Sequence, residues 1–223
     1  MSFSTGSRAA QDVIAFLHTM GRLKDTARRG WVEHDIRSPE SISDHMYRMS
    51  LMCMMCPDTT LNRDRMIKMA LCHDTGESII GDISPAMKVP KEVKRKQETQ
   101  AIQDLCGLLS SSPSTTFATE LRELFEEYEA QETAESHFVK DMDLLEMIVQ
   151  AHGYESANPG KDLSSFFRSG AGIRHPWARA IFETLANTRP YSTSKTAEVE
   201  EEGRGDAQAV PSATTTTTTA SNM

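Results

Sequence analysis

The sequence lacks the features of a membrane protein and of a nucleic-acid-binding protein. No apolar run approaches the roughly 20 residues that a helix needs to span a bilayer, and residues 1–8 have neither the basic nor the apolar region of a signal peptide. We therefore expect a soluble, cytoplasmic chain with no membrane partner. Basic residues are outnumbered, 24 against 32 acidic ones, for a net charge of −8. Such a chain is a poor match for a nucleic-acid polymer, and an anionic substrate would need a local cation.

Cysteine is also sparse. The four cysteines fit free thiols in a reducing compartment. Cys53 and Cys56 form a C-x-x-C pattern, but a redox pair would follow a strand at a helix N-terminus, and a zinc site would need a second pair. This pair lies late in a Met-rich helical run, so we interpret it as core packing.

Strand-like alternation is missing as well, and apolar residues recur at helical spacing nearly everywhere. This periodicity predicts an all-α fold. A first helix is expected from about Val13 to residues 28–30, followed by a loop over residues 31–42. Ser43 is predicted to cap the next helix, which Pro57 ends.

The rest of the chain is predicted to complete a helical bundle. Asn62 is expected to cap a helix that continues to Ile80, before Gly81 and Pro85 break it. Further helices are predicted over residues 90–109, 121–128, 138–151 and 175–186.

The composition changes beyond Pro190. The last part of the chain is rich in glutamate and ends in a run of threonines at residues 214–219, and such a segment buries too little apolar surface to order itself. We predict a flexible N-terminus over residues 1–9, one domain over residues 10–190 and a disordered tail over residues 191–223.

Three places set metal-ligand side chains against an apolar helical background. They are His45, the pair His73-Asp74, and Asp143. Two imidazoles and two carboxylates from three helices can enclose one divalent ion and leave positions open for water. Burying His73 and Asp74 without partners would cost several kcal/mol, which a metal would offset. In the alternative interpretation, these two residues lie on a polar helix face.

The order His…His-Asp…Asp is the signature of HD-domain phosphohydrolases, and three longer strings resemble one branch of them, the HD-domain 5′-deoxynucleotidases. The strings are PESISDHMYRM (39–49), LCHDTGESIIGDISP (71–85) and FVKDMDLLEM (138–147), within a similarity that spans residues 10–188. The resemblance implies an HD-domain helical bundle, hydrolysis of 2′-deoxyribonucleoside 5′-monophosphates to deoxynucleoside and phosphate, and a homodimer.

The resemblance also implies the metal site. It makes the ligands of a first divalent ion His45, His73, Asp74 and Asp143. The family pattern Lys-x-x-Asp selects Asp143, and Asp141 is expected to be solvated. Glu77 resembles the catalytic glutamate, and with Asp82 and Ile83 it resembles a segment that can hold a second cation. Manganese or cobalt is the expected metal, with magnesium, zinc, iron and copper as other candidates.

Four residues are candidates for substrate contacts. Trp31 resembles the aromatic residue that faces the nucleoside and could stack on the base, although a core aromatic is the alternative. The arginine that precedes it is left open between Arg28 and Arg29, with Arg29 taken as the candidate. Arg48 follows His45 by three residues and is predicted to fork onto phosphate oxygens, with a surface salt bridge as the alternative.

Glu77 is expected to take the proton of the attacking water. It follows His73 by four residues and would share its face on a continuous helix. Gly76 suggests a close approach or a break at this point. Two other functions are kept open: an HD-type hydrolase of cyclic nucleotides or triphosphates, and a helical scaffold that binds metal without turnover, against which the intact Glu77 and Asp82 argue.

Overall fold

Helices provide nearly all the regular structure in residues 7–189, the range that the computed structural model describes. The α-helices are α1 (Ser7–Gly21), α2 (Arg29–Glu33), α3 (Ile42–Met54), α4 (Arg63–Cys72), α5 (Glu77–Ile80), α6 (Lys91–Leu108), α7 (Thr115–Ala130), α8 (Ala134–Ala157), α9 (Ser164–Phe167) and α10 (Pro176–Asn187). The predicted all-α class is confirmed. The predicted tail over residues 191–223 and most of the predicted N-terminal segment lie outside the described residues. Within those residues, none of the helices has both the length and the apolar character that crossing a membrane requires.

The N-terminal part of the chain is organised differently from the prediction. The first helix ends at Gly21, and α2 occupies part of the expected loop. Two backbone hydrogen bonds explain the difference, because Arg28 N–H donates to Glu40 O at 3.0 Å and Ile42 N–H donates to Thr26 O at 2.9 Å. They tie the segment before α2 to the segment before α3, so the chain folds back on itself.

The N-cap of α3 is Ser41, and the prediction of Ser43 was wrong by two residues. The Ser41 side chain accepts from Asp44 N–H, and the Asp44 carboxylate accepts from Ser41 N–H at 2.9 Å. This reciprocal pair satisfies two backbone donors at once, which a cap at Ser43 would not do. The predicted cap of α4 by Asn62 is confirmed, since its side chain accepts from Arg65 N–H at 3.1 Å.

The helix predicted to continue to Ile80 is interrupted. α4 ends at Cys72, and α5 begins at Glu77. In the gap, Thr75 N–H donates to Cys72 O at 3.1 Å and Glu77 N–H donates to Asp74 O at 3.0 Å. Bonds that span three residues replace the helical bonds that span four, so the backbone tightens and changes direction.

Gly76 lies inside this break and against α6. A Cβ atom there would sit 3.5 Å from both Ala101 Cβ and Glu98 O. The structure therefore shows the break, whereas a Cβ atom at residue 76 would make only ordinary van der Waals contacts with α6. The helix that leads into His73 does not continue to Glu77, and α5, which carries Glu77, packs on α6.

The centre of the domain is formed by α3, α4 and α8, which pack against one another. α8 is 24 residues long and carries many of the fully buried side chains. Cys53 and Cys56 lie in the same core as free, buried thiols, as predicted. Burial raises the pKa of Cys53 to about 12, so this thiol is inert at neutral pH.

Candidate active site

Three helices bring the predicted metal ligands together. His45 lies in the first turns of α3, His73 and Asp74 follow directly on α4, and Asp143 lies in the middle of α8. His45 Nε2 is 3.4 Å from Asp143 Oδ1 and 3.9 Å from Asp74 Oδ2. His73 Nε2 is 3.2 Å from Asp74 Oδ2. His45 therefore lies close to both carboxylates, and His73 lies close to Asp74.

Both imidazole rings are buried, and each uses Nδ1 to orient itself. His73 Nδ1 lies 2.9 Å from Ala70 O, a carbonyl that only accepts, so this nitrogen carries the hydrogen. His45 Nδ1 donates to Glu146 Oε2 at 2.5 Å. The two Nε2 atoms have no hydrogen-bond partner although both are buried. Buried ring nitrogens are rarely left unpaired, and a cation between them would satisfy both.

The charges at the site favour a cation as well. Burial and Arg28 oppose protonation of His45, but Glu146 and Asp143 outweigh them and raise its pKa to about 9. Burial also acts against ionisation of Asp143, yet Lys140 and His45 hold its pKa well below the usual value. The site therefore keeps ionised carboxylates around a position that favours positive charge, as a proton or as a metal ion.

Asp143 is held by two further groups. Its Oδ2 accepts from Tyr128 Oη at 2.7 Å and from Lys140 Nζ at 2.8 Å. These bonds leave Oδ1 facing His45. Ligand atoms of His45, His73 and Asp74 lie within 4.8 Å of one another, and Asp143 Oδ1 lies 3.4 Å from His45 Nε2. Imidazole nitrogens and carboxylate oxygens are ligand types that suit a divalent ion.

Glu77 adds a further carboxyl group to the site. Its side chain is buried, and Oε2 has no hydrogen-bond partner. Burial, followed by repulsion from Asp74 and Asp82, raises the pKa of Glu77 well above its ordinary value. Asp82 Oδ2 accepts from Arg29 N–H at 2.6 Å. A buried carboxyl with two acidic neighbours is consistent with the predicted second cation.

The cluster of predicted metal ligands, His45, His73, Asp74 and Asp143 (the metal-ligand cluster), borders a cleft of about 750 Å³. His73, Asp74, Glu77 and Asp143 line it, whereas His45 is fully buried beneath them. Sequence reasoning assigned no substrate role to several other side chains that line the cleft, and these include Lys91, Lys94, Arg95, Tyr128, Lys140, Met147 and Phe166. Nothing in the neighbouring sequence marked these residues as substrate contacts, because cationic and aromatic residues are common on the surface of any helix.

Only two of the four substrate candidates, Trp31 and Arg28, line the cleft. Trp31 borders the cleft but is only 1% exposed, and its Nε1–H donates to Glu40 Oε1 at 2.9 Å. Phe166 covers it, with ring centroids 4.3 Å apart. Arg28 lines the cleft with its Nη1 3.7 Å from Asp74 Oδ2, whereas Arg29 is 54% exposed and pairs with Glu33.

Arg48 does not line the cleft. Its Nη2 donates to Glu40 Oε2 at 3.0 Å and to Glu146 Oε1. The salt-bridge alternative for this residue therefore describes the structure, although its partners are buried carboxylates rather than surface ones.

The expectation that Asp141 is solvated was wrong. It is 2% exposed rather than solvated, and its Oδ2 accepts from the backbone N–H groups of Arg174 at 2.9 Å and His175 at 2.6 Å. Two residues along a helix turn the side chain by roughly 200°, so Asp141 faces away from Asp143. It holds the segment that leads into α10, a role that depends on residues far along the chain.

The chain belongs to the HD domain family, whose model matches residues 20–181. It is 46% identical over 178 residues to the 5′-deoxynucleotidase hdd1 of Schizosaccharomyces pombe, covering 79% of this chain and 90% of that relative. It is 44% identical over 178 residues to the 5′-deoxynucleotidase HDDC2 of Homo sapiens, covering 78% and 85%. A solved structure of a conserved hypothetical protein from Pyrococcus furiosus aligns with a TM-score of 0.65 at 30% identity, covering 78% of this chain and 99% of that one. The family resemblance read from the sequence is confirmed.

Proposed function

We propose that this protein is a metal-dependent 5′-deoxynucleotidase, a phosphoric monoester hydrolase that releases phosphate from 2′-deoxyribonucleoside 5′-monophosphates. The observation that supports it most is the pair of buried imidazoles, His45 and His73, whose unpartnered Nε2 atoms converge with two carboxylates below an open cleft. The names of the two relatives support the choice of substrate.

The proposed metal ligands are the four residues of the metal-ligand cluster, His45, His73, Asp74 and Asp143. These side chains would hold a divalent ion, whose chemistry there would be to polarise a phosphoryl oxygen and to acidify water toward a pKa of about 7. We propose manganese or cobalt, whose preferences match mixed imidazole and carboxylate ligands. A second cation would be held by Glu77, Asp82 and the backbone carbonyl of Ile83.

Glu77 is the proposed general base. It lines the cleft, it is buried, and its Oε2 is free of hydrogen bonds. A proton taken from the attacking water would therefore be held at Oε2 without first displacing a protein donor. Such a base contributes about 10²- to 10⁴-fold to the rate. This assignment rests on where α5 places the residue and no longer on a continuous helix.

For the phosphate we propose Arg28 rather than Arg29. Arg28 lies in the cleft beside Asp74, and its guanidinium can fork onto two oxygens. Lys140 also lines the cleft, with its Nζ 2.8 Å from Asp143 Oδ2. Both cations would compensate the charge of a phosphate dianion above an acidic cluster.

For the nucleoside we propose the aromatic wall formed by Trp31 and Phe166. Phe166 presents the more exposed ring, and Trp31 supports it from the buried side. Gly30 is part of this arrangement, because a Cβ atom there would lie 3.2 Å from Phe166 Cε1. Stacking on an aromatic ring tolerates any base, so we expect the deoxynucleotidase to accept several bases.

The deciding experiment measures phosphate release by the metal-stripped full chain. The panel contains 5′-deoxynucleoside, 5′-ribonucleoside and 3′ monophosphates, together with triphosphates and cyclic nucleotides, each with Mn²⁺, Co²⁺ or Mg²⁺. Metal-dependent release that favours the 5′-deoxy monophosphates is the expected result. No release from any monophosphate, with metal bound to the protein, would reject the nucleotidase and leave another HD-type substrate or a non-catalytic scaffold.

Two further proposals concern the whole chain. The family resemblance suggests a homodimer, which light scattering of the purified protein would test. We also propose one catalytic domain over residues 10–190, with residues 191–223 dispensable for phosphate release, and a cytoplasmic location. A chain truncated after Pro190 should retain the activity of the full chain.

A further inference from the structure

Arg48 joins two buried carboxylates that belong to different parts of the site. It lies on α3, one turn after His45, and its side chain is 36% exposed. A single nitrogen, Nη2, donates both to Glu40 Oε2 and to Glu146 Oε1. Glu40 precedes α3 and Glu146 lies on α8, 98 residues after Arg48, so the guanidinium connects segments that are distant in sequence.

Glu146 is the carboxylate that orients His45. It follows Asp143 by three residues on α8, so both carboxylates lie on the same side of that helix. Glu146 Oε2 accepts from His45 Nδ1, while Asp143 Oδ1 faces Nε2 on the other edge of the ring. A carboxylate on the outer nitrogen fixes the tautomer and the direction of a metal-binding imidazole.

Glu40 connects the same guanidinium to the aromatic wall. Its Oε1 accepts from Trp31 Nε1–H at 2.9 Å, and its backbone N–H donates to Tyr154 Oη at 2.8 Å. Trp31 and Tyr154 also pack edge to face, with centroids 5.2 Å apart. Through Nη2, Arg48 is therefore linked both to the carboxylate that orients His45 and to the carboxylate that holds Trp31.

The two carboxylates need a cation between them. Glu146 is fully buried and the Glu40 side chain is nearly so. Like charges brought together away from water repel strongly, so without the guanidinium the two carboxylates would be pushed apart. A displacement of Glu146 would weaken its hydrogen bond to His45.

We propose that Arg48 is a positioning residue, which holds Glu146 against His45 and Glu40 against Trp31. It would thereby fix the position of the metal site relative to the aromatic wall. It acts through these two carboxylates and does not touch the substrate. The proposal differs from the sequence-based expectation, in which Arg48 binds phosphate, and it rests on the proposed metal centre.

The test measures the affinity of the metal-free full chain for Mn²⁺ by calorimetry, without any substrate. Arg48→Met removes the charge and keeps much of the stem, and we expect Mn²⁺ binding to weaken about 10- to 100-fold, the range for loss of an outer partner of a metal ligand. Adding Glu40→Gln to Arg48→Met removes the uncompensated charge, and we expect most of the affinity to return.

A matched control separates this effect from the loss of any arginine ion pair. Arg65 pairs with Glu127 across α4 and α7, and its side chain is 40% exposed, much like Arg48. Arg65→Met should leave Mn²⁺ affinity unchanged. Should Arg48→Met fail to fold, Arg48→Gln, which keeps an amide donor without the charge, takes its place with the same expectations.

The outcomes are distinguishable. Wild-type affinity for Mn²⁺ in Arg48→Met, with a raised KM for monophosphates, would overturn the proposal in favour of direct phosphate binding. A loss of affinity that Glu40→Gln does not restore would overturn the role of the paired carboxylates. If the wild-type chain itself binds no Mn²⁺, the proposed metal centre fails, and the role of Arg48 fails with it.

Discussion

Asp141 and Asp143 are two residues apart and chemically identical, yet the structure gives them opposite tasks. Asp143 faces the metal-ligand cluster, whereas Asp141 accepts two backbone hydrogen bonds from the segment before α10. The matched substitutions Asp143→Asn and Asp141→Asn keep the shape of each side chain and remove its charge. We expect the first to affect metal binding and the second to affect stability.

The size of the Asp141 effect follows from its contacts. A hydrogen bond to a charged group contributes about 1.5–3 kcal/mol and a neutral one about 0.5–1.5 kcal/mol. Asparagine can still offer one oxygen to the N–H groups of Arg174 and His175, so each bond weakens by about 1 kcal/mol. Asp141→Asn should therefore lower the free energy of unfolding by about 2 kcal/mol, and the Tm by about 4–8 °C for a domain of this size.

Two assays on the same protein samples separate the roles. Thermal unfolding of the metal-free chain should show the loss in Asp141→Asn, and its Mn²⁺ affinity at 25 °C should equal that of the wild type. Asp143→Asn should weaken Mn²⁺ binding by more than about 10-fold, since even outer partners of a ligand have effects of that size. The reverse pattern, with Asp141→Asn losing metal at an unchanged Tm, would show that the wrong carboxylate faces the site.

Three other substitutions probe the base, the aromatic wall and the packing. Glu77→Gln should retain Mn²⁺ at the first site and lower kcat by about 10²- to 10⁴-fold; unchanged turnover in steady-state assays would remove Glu77 from the mechanism. Phe166→Ala should raise the KM for deoxynucleoside monophosphates and leave unaffected the hydrolysis of a phosphate ester that has no nucleobase. Phe117→Ala is the control, because Phe117 is an exposed ring outside the cleft lining. Gly170→Ala would place a methyl group 2.1 Å from Phe182 Cε2, and this overpacking should cost about 1–3 kcal/mol in a denaturant titration.

Local signals in the sequence sufficed where the deciding partners are close along the chain. The helical periodicity predicted the all-α class, and Asn62 was identified as a cap because its partner, Arg65 N–H, is three residues away. Ser41 was missed although its partner is equally near, since Ser43 and Ser41 are both good caps and only the reciprocal contact with Asp44 separates them. The metal ligands were predicted from the order of His45, the His-Asp pair and the later aspartate. Because this order is the family's signature, the resemblance assigned each of the four residues.

The sequence by itself determined the fold class, the family and the residue types that meet at the site. Tertiary structure alone decided which side of each helix faces that site, because this depends on residues that are distant in sequence. The break after α4 placed Glu77 on a separate helix, and Phe166 packs over the buried Trp31. Arg48 was assigned to phosphate from its spacing to His45, yet Glu146, 98 residues away, holds it. A guanidinium binds whichever carboxylates the fold brings within reach, and periodicity within one helix carries no information about the charges on another.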